Sequence, residues 1–164
     1  MKRKILTLTL TAVLILTLAF TLTSCGGPKT FTVAEFSIDL NSSYFDVTAI
    51  IPVGEDVETF ASYLSLTEGM IVTATKAPDP NNEINLRDYV DAYADLLGGT
   101  VSMNDDGIYT VTCDIEAEGQ SFSNISYIFD TDDGFWVATF MALSGDISEK
   151  SADIEAYVDT IVIE

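Results

Sequence analysis

Histidine is absent from the 164 residues of this chain. Histidine is the side chain that most often acts as a general base near neutral pH, and it is the commonest protein ligand of transition metals. Its absence excludes Ser-His-Asp and Cys-His catalysis and the usual zinc ligand sets. A pair of carboxylates remains open as a hydrolytic chemistry.

Basic residues are scarce, with 7 Lys and Arg against 26 Asp and Glu and a formal net charge of −19. Lys2, Arg3 and Lys4 are the only charged residues among the first 24, so residues 25–164 carry 4 basic and 26 acidic residues, a formal charge of −22. Nucleic acid is excluded as a partner, because binding it requires clustered Lys and Arg. An acidic surface commonly keeps an exported protein soluble. A bound divalent cation or a basic partner would reduce the repulsion among these acidic side chains.

Only two cysteines are present, Cys25 and Cys113. Cys113 is in phase with Tyr109, Val111 and Ile115 of a predicted strand, which predicts a buried structural thiol. If Cys25 is modified, no partner remains for an internal disulfide, and the fold has to rely on its core.

The N-terminal segment has the layout of an export signal, in which a basic stretch is followed by an apolar one and then by small residues. The stretch from Ile5 to Ser24 is uncharged and long enough for a membrane-spanning helix of about 20 residues. Several threonines dilute it, however, and a small-residue site follows at once. An uncleaved anchor and ordinary secretion with a free thiol are the alternatives to a processed signal.

The sequence Leu22-Thr23-Ser24-Cys25 resembles the lipobox of bacterial lipoprotein signal peptides. The resemblance implies a diacylglyceryl group on the Cys25 thiol and cleavage between Ser24 and Cys25. It predicts a signal peptide over residues 1–24, a lipidated cysteine with a short tether over 25–30, and a single domain over 31–164. Two acyl chains hold a protein at a membrane far more firmly than one, so we expect a cell-membrane protein on the extracytoplasmic face.

Alternating apolar residues predict most of the strands. Residues 31–40 fit a strand with a bulge or a break near Ala34-Glu35, and residues 44–51 have mixed strand character. A hairpin follows over residues 57–77, with its turn at Thr67-Glu68-Gly69. Three consecutive strands then cover residues 107–143, and the last of them is apolar on both faces, so we expect it to be covered on both.

Two helices are predicted. The first begins after the cap residue Asn85, ends at Gly98-Gly99, and carries an apolar stripe with Leu96 in it. The second begins after Ser148 and runs to the end of the sequence. Together these elements predict an α+β fold, an antiparallel meander with helices packed on both faces.

This order of elements resembles the PsbP-like α/β/α sandwich, in particular the small lipoproteins of Gram-positive bacteria with that fold. The resemblance rests on the first strand, the helix "LRDYVDAYADLLG", the strand "DDGFWVATF" and the closing helix, and it covers about residues 31–163. Relatives of this fold serve mostly as accessory or binding proteins. The resemblance implies a fold and transfers no catalytic residue.

Acidic residues supply the candidate sites. Asp130, Asp132 and Asp133 crowd one turn and are weak metal candidates, although the spacing does not fit a calcium-binding EF-hand loop and a hairpin turn explains it better. Three further carboxylates alternate along one strand and suggest either acid–base chemistry or a solvated face: Asp114, Glu116 and Glu118. Three aromatic residues fit either a ligand groove or the core: Tyr89, Tyr93 and Trp136.

From these observations we expect a membrane-anchored accessory or binding protein without catalysis or a cofactor. Its partners would be the membrane, through the lipid on Cys25, and another envelope protein or a divalent cation. Two alternatives remain open: a carboxylate-dependent hydrolase acting on envelope glycans, and a surface protein that binds divalent cations.

Overall fold

The structure is a computed structural model that describes residues 27–51, 59–117, 119–143 and 147–164. The predicted signal peptide and Cys25 lie outside these residues. No helix within them has the length and apolar character needed to span a membrane.

The described part of the chain forms short strands, two α-helices and one 3₁₀ helix. The strands are β1 (Lys29–Val33), β2 (Phe36–Leu40), β3 (Phe45–Asp46), β4 (Thr59–Ser65), β5 (Met70–Pro78), β6 (Thr100–Met103), β7 (Tyr109–Ala117), β8 (Gln120–Thr131), β9 (Gly134–Ala142) and β10 (Val162–Ile163). The α-helices are α1 (Leu86–Leu97) and α2 (Ser151–Val158), and the 3₁₀ helix is Ile147–Lys150.

A three-stranded antiparallel sheet has the order β1-β2-β10. The phase slip near Ala34-Glu35 marks a turn, so the single strand predicted over residues 31–40 is a hairpin. Ala34 adopts a left-handed φ of 48° there. β1 also begins at Lys29, two residues inside the predicted tether.

The larger sheet has seven antiparallel strands in the order β3-β4-β5-β9-β8-β7-β6. The predicted hairpin is confirmed as β4 and β5, and the predicted three-strand meander as β7, β8 and β9. The prediction for residues 44–51 was wrong in extent, because only Phe45 and Asp46 pair with β4 and the chain turns directly afterwards.

The core has two parts, and β9 contributes to both. Trp136, Ala138 and Phe140 belong to a cluster that also contains β2 and α2 residues. Phe135 and Val137 belong to a second cluster with residues of α1, β7 and β8. Because neighbouring side chains of a strand point to opposite faces, β9 is covered on both faces, as its composition predicted.

α1 begins and ends as predicted. The Asn85 side chain accepts a hydrogen bond from the Asp88 backbone N–H at 2.9 Å, and Gly98 closes the helix in the left-handed conformation. Val90 and Ala94 are buried, but Leu96 of the predicted stripe is 81 % exposed.

The closing segment differs from the predicted helix. A 3₁₀ turn comes first, α2 begins at Ser151 after Lys150 in place of a Ser148 cap, and α2 ends at Val158. The chain then adds β10 to β2. The β-branched sequence Ile161-Val162-Ile163 favours a strand over a helix.

Candidate functional site

The strands of both sheets run between the same two ends of the domain, which we call the near end and the far end. At the near end lie Lys29 and Leu40, which pair with each other, and Met70, which pairs with Ser65. At the far end lie the β1–β2 turn with Glu35 and the β8–β9 turn with Asp133. The candidate site is at the far end.

Lys76 joins the two far-end turns. Its ammonium group donates to the Glu35 carboxylate and, at 2.7 Å, to Asp133 Oδ2. Hydrogen bonding to Lys76 holds the pKa of each carboxyl group below its ordinary value. The bond to Asp133, followed by the bond to Glu35, raises the pKa of Lys76. One cation therefore fixes two acidic turns that belong to different sheets.

Trp136 completes this junction from inside the core. Its indole N–H donates to Glu35 Oε1 at 3.2 Å, and its ring stacks on Phe36 with the centroids 5.1 Å apart. The Lys76 Nζ atom lies 6.0 Å from the centroid of the same ring. Because the Trp136 side chain is fully buried, the Glu35 carboxylate satisfies an indole donor that water does not reach.

The β8–β9 turn is pressed against the end of β5. A Cβ atom on Gly134 would lie 2.3 Å from the Ala77 carbonyl oxygen, and Gly134 has a φ of 145°, a region that side chains disfavour. The Asp79 backbone N–H donates to the Asp133 carbonyl at 2.8 Å. Only glycine allows this close approach of the two chain segments.

The buried Asp79 shapes the loop that leads into α1. Its carboxylate accepts the backbone N–H groups of Glu83 at 3.1 Å and Ile84 at 2.8 Å. This arrangement satisfies backbone donors just before the helix and fixes the position of Leu86.

A groove runs along the far end and has two adjoining parts, which together we call the far-end groove. The acidic part has a volume of about 660 Å³ and is lined by Glu35, Lys76, Asp130, Thr131, Asp132, Asp133, Ile163 and Glu164. The apolar part has a volume of about 380 Å³ and is lined by Leu86, Gly107, Ile108, Ile128, Phe129, Asp130, Ile161 and Ile163. Asp130 and Ile163 line both parts, so the two parts adjoin.

The three weak metal candidates lie in or beside the β8–β9 turn, but they do not act alike. Asp133 is paired with Lys76, whereas Asp130 and Asp132 are exposed at the rim of the groove. Among the described residues no group of three or more Asp, Glu or Cys side chains is arranged to hold a metal ion.

The other candidates are dispersed. Asp114 accepts a hydrogen bond from Ser123 at 2.5 Å and is exposed on β7, as is Glu116, while Glu118 lies outside the described residues. Tyr89 stacks on Phe135, with centroids 4.3 Å apart, beneath α1. Its cluster is not that of Trp136, so these aromatic residues do not form one groove.

The thiol of Cys113 is buried, as predicted. It donates to Asn124 Oδ1 at 3.0 Å, and burial raises its pKa. A protonated, enclosed thiol is a poor nucleophile.

A second polar cluster lies at the near end, around Glu68 in the β4–β5 turn. Tyr44 and Tyr157 donate to the two oxygens of its carboxylate at 2.7 and 2.9 Å, and Lys150 donates to its backbone carbonyl at 2.6 Å. Burial, followed by these bonds to Glu68, raises the pKa of both phenols well above the ordinary value. The cluster ties α2 to the large sheet.

The sequence did not identify Glu35 or Lys76 as members of a site. The phase slip at Ala34-Glu35 indicated a bulge or a break in a strand, and Lys76 is one of only four basic residues after residue 24. Neither signal indicates that the two meet.

No protein-family model matches the chain, and no curated protein is significantly similar to it in sequence. Solved structures with a similar fold exist. The solution structure of the PsbP protein of the cyanobacterium Synechocystis, CyanoP, is 9 % identical with a TM-score of 0.59, over 87 % of this chain and 99 % of that one. A crystal structure from Bacteroides thetaiotaomicron is 14 % identical with a TM-score of 0.53, over 86 % of this chain and 49 % of that one. The chain therefore has a PsbP-like α+β fold, and identities this low show the fold alone.

Proposed function

We propose that this protein is a lipoprotein, anchored through Cys25 on the extracytoplasmic face of the cell membrane, that serves as a non-catalytic accessory or binding module. The supporting observation is the position of Lys29, where the chain enters the fold. It lies at the near end of β1, at the opposite end of that strand from the Glu35 turn and the far-end groove.

The position of Lys29 predicts how an anchored domain would be oriented relative to the membrane. β1 covers about 13 Å from Lys29 to Val33 at the usual rise of a strand, and the tether from Cys25 is only a few residues long. An anchor at Cys25 would hold the near end by the headgroups and present the far-end groove away from the membrane. The acidic groove would also be repelled by anionic lipids at distances within about 8 Å.

The proposal includes a layered arrangement in which helices cover both faces of the large sheet. α1 and α2 would cover opposite faces of the large sheet, because their buried residues belong to different core clusters. The three-stranded sheet lies on the α2 side, where Phe36 stacks on Trp136.

Two observations support a role without catalysis: the absence of histidine from the sequence and the pKa values of the carboxyl groups in the far-end groove. Glu35 and Asp133 have lowered pKa values, whereas a glycosidase acid needs a raised one. Turnover of an envelope glycan by the purified chain would contradict this part and favour the hydrolase alternative.

The anchor is tested in bacterial cells that express the full chain and are fed a palmitate analogue suited to click labelling. The wild type and Cys113→Ser should be labelled and should have lost residues 1–24, whereas Cys25→Ser should be unlabelled and retain them, because cleavage follows modification of Cys25. Added protease should degrade the wild-type protein on spheroplasts. A wild-type protein that is unlabelled and still carries residues 1–24 would indicate an uncleaved helix and overturn the lipid anchor.

A further inference from the structure

The far-end groove combines three properties that together select one kind of ligand. Its acidic part carries five carboxylates against a single lysine. The Lys76 ammonium is already shared by Glu35 and Asp133. Asp130, Asp132 and Glu164 form no ion pair with any other described residue, so they are available to a cation from outside.

The adjoining part is apolar. Phe129, Ile161 and Ile163 are partly buried and pack against the core, and each also lines the groove. Leu86 and Ile108 line the groove as well. A ligand that places apolar groups here removes apolar surface from water on both molecules.

The backbone of β8 adds the third property. Its pairing with β7 ends at Ile128, opposite Tyr109, whereas its pairing with β9 continues to Thr131. Phe129, Asp130 and Thr131 therefore have a neighbouring strand on one side only within the described residues. A strand edge of this kind can pair with an extended peptide.

The side chains along this edge alternate. Phe129 packs against the core cluster shared with β2 and α2, and Asp130 points to the opposite face. In a paired peptide, a side chain opposite Phe129 would lie beside Ile161 and Ile163, and its neighbour would lie beside the Asp130 carboxylate. The edge therefore favours apolar and basic residues in alternation.

We propose that the far-end groove binds an extended peptide segment of a partner protein in which basic and apolar side chains alternate. This inference rests on the proposed function as a binding module and names the chemistry of its ligand. Nucleic acid and anionic lipid are disfavoured, because each would bring negative charge to carboxylates.

The test uses the purified full chain in uncharged detergent micelles and measures the fluorescence anisotropy of labelled peptides. The probe is acetyl-Lys-Val-Lys-Val-Lys-amide with a neutral coumarin label. Its composition-matched control is acetyl-Lys-Lys-Lys-Val-Val-amide, and spermidine is the unlabelled small polycation used as a competitor. The alternating peptide should bind at least about five-fold more tightly than the block peptide, because only its side-chain period matches the edge.

Variants of the protein and of the peptide then test separately the contributions of the acidic part, the apolar part and the strand edge to binding. Asp130→Asn with Asp132→Asn should weaken binding about five-fold at low salt, whereas the same charge change by Asp95→Asn with Glu116→Gln, on exposed residues away from the groove, should leave it within about two-fold. Ile163→Thr, checked for an intact melting transition, should weaken binding through the apolar part. Replacing one peptide valine by N-methylvaline should also weaken binding, since it removes a main-chain donor.

Equal affinity for the alternating and block peptides, or full displacement by micromolar spermidine, would show attraction by charge alone and overturn the proposal. The absence of binding by either peptide would overturn it too. The Cys25→Ser chain should bind like the wild type, so a failure of lipid anchoring and a failure of peptide binding are distinguishable.

Discussion

Trp136 and Glu35 are separated by 101 residues, yet the indole N–H of one donates to the carboxylate of the other at 3.2 Å. Trp136 belongs to β9 of the large sheet, and Glu35 to the turn between two strands of the small sheet. Lys76 binds the same carboxylate oxygen. The far-end groove is therefore built on a junction between the sheets.

Lys76→Met should destabilise the protein by about 1 kcal/mol at pH 7, because it leaves the partly buried Glu35 carboxylate without its cation. Lys76 donates to Glu35 with its side chain 15 % exposed. The difference in unfolding free energy should be measured by urea denaturation, using the single tryptophan as the fluorescent probe.

The Lys76 contribution should also depend on pH. A lowered pKa makes the Glu35 contribution present above the ordinary value of 4.5, and it is lost as the pH falls through the folded value. The pKa of Lys76 is raised, so its contribution persists to at least its ordinary value of 10.5. The destabilisation by Lys76→Met should be fully present at pH 7 and smaller at pH 2.5. An equal difference at both pH values would contradict the ion-pair explanation.

Gly134→Ala should destabilise the protein by about 3 kcal/mol or more, because the new Cβ atom would meet the Ala77 carbonyl and the backbone is strained for a side chain. Gly69→Ala is the matched control, since Gly69 has a φ of 60° but open space around its Cα. It should cost only about 1 kcal/mol. Thermal unfolding of both variants separates the clash from the backbone conformation, and equal losses would argue against the close approach.

Stability should fall steeply above pH 10. Burial raises the pKa of Tyr63 and Tyr89 to about 12, and it raises those of Tyr44 and Tyr157 further. A raised pKa gives a contribution that is complete below the ordinary value of 10 and is lost as the pH rises, because the unfolded chain releases these protons first. Denaturation at pH 9 and 11 measures the slope. Tyr157→Phe should make the slope shallower, and an unchanged slope would contradict the buried phenol at Glu68.

Cys113 should resist alkylation in the folded protein. Its thiol is buried, bonded to Asn124, and has a raised pKa. In the Cys25→Ser chain, iodoacetamide at pH 8 should modify Cys113 at least about a hundred-fold more slowly in buffer than in urea, as judged by mass spectrometry. Rapid modification of the native protein would show that β7 opens readily.

Local sequence signals predicted the elements that local interactions stabilise. The Asn85 cap and Gly98 act within one turn of α1, and the hairpin of β4 and β5 joins neighbouring strands. The two-sided apolar pattern of β9 correctly indicated a strand covered on both faces. The predicted helix after residue 158 failed because the gain from pairing Val162 and Ile163 with β2 depends on a strand more than 120 residues away.

The sequence by itself determined the acidic charge, the lack of histidine, the PsbP-like order of elements and the resemblance of Leu22-Thr23-Ser24-Cys25 to a lipobox. All of these depend on composition or on neighbours along the chain. Only the tertiary structure brought Glu35, Lys76, Asp133 and Trp136 together and left the edge of β8 beside an apolar groove. Contacts between distant segments depend on the free energy of the whole packed chain. Local periodicity indicates a strand or a helix, but it does not identify the distant segment that packs against it.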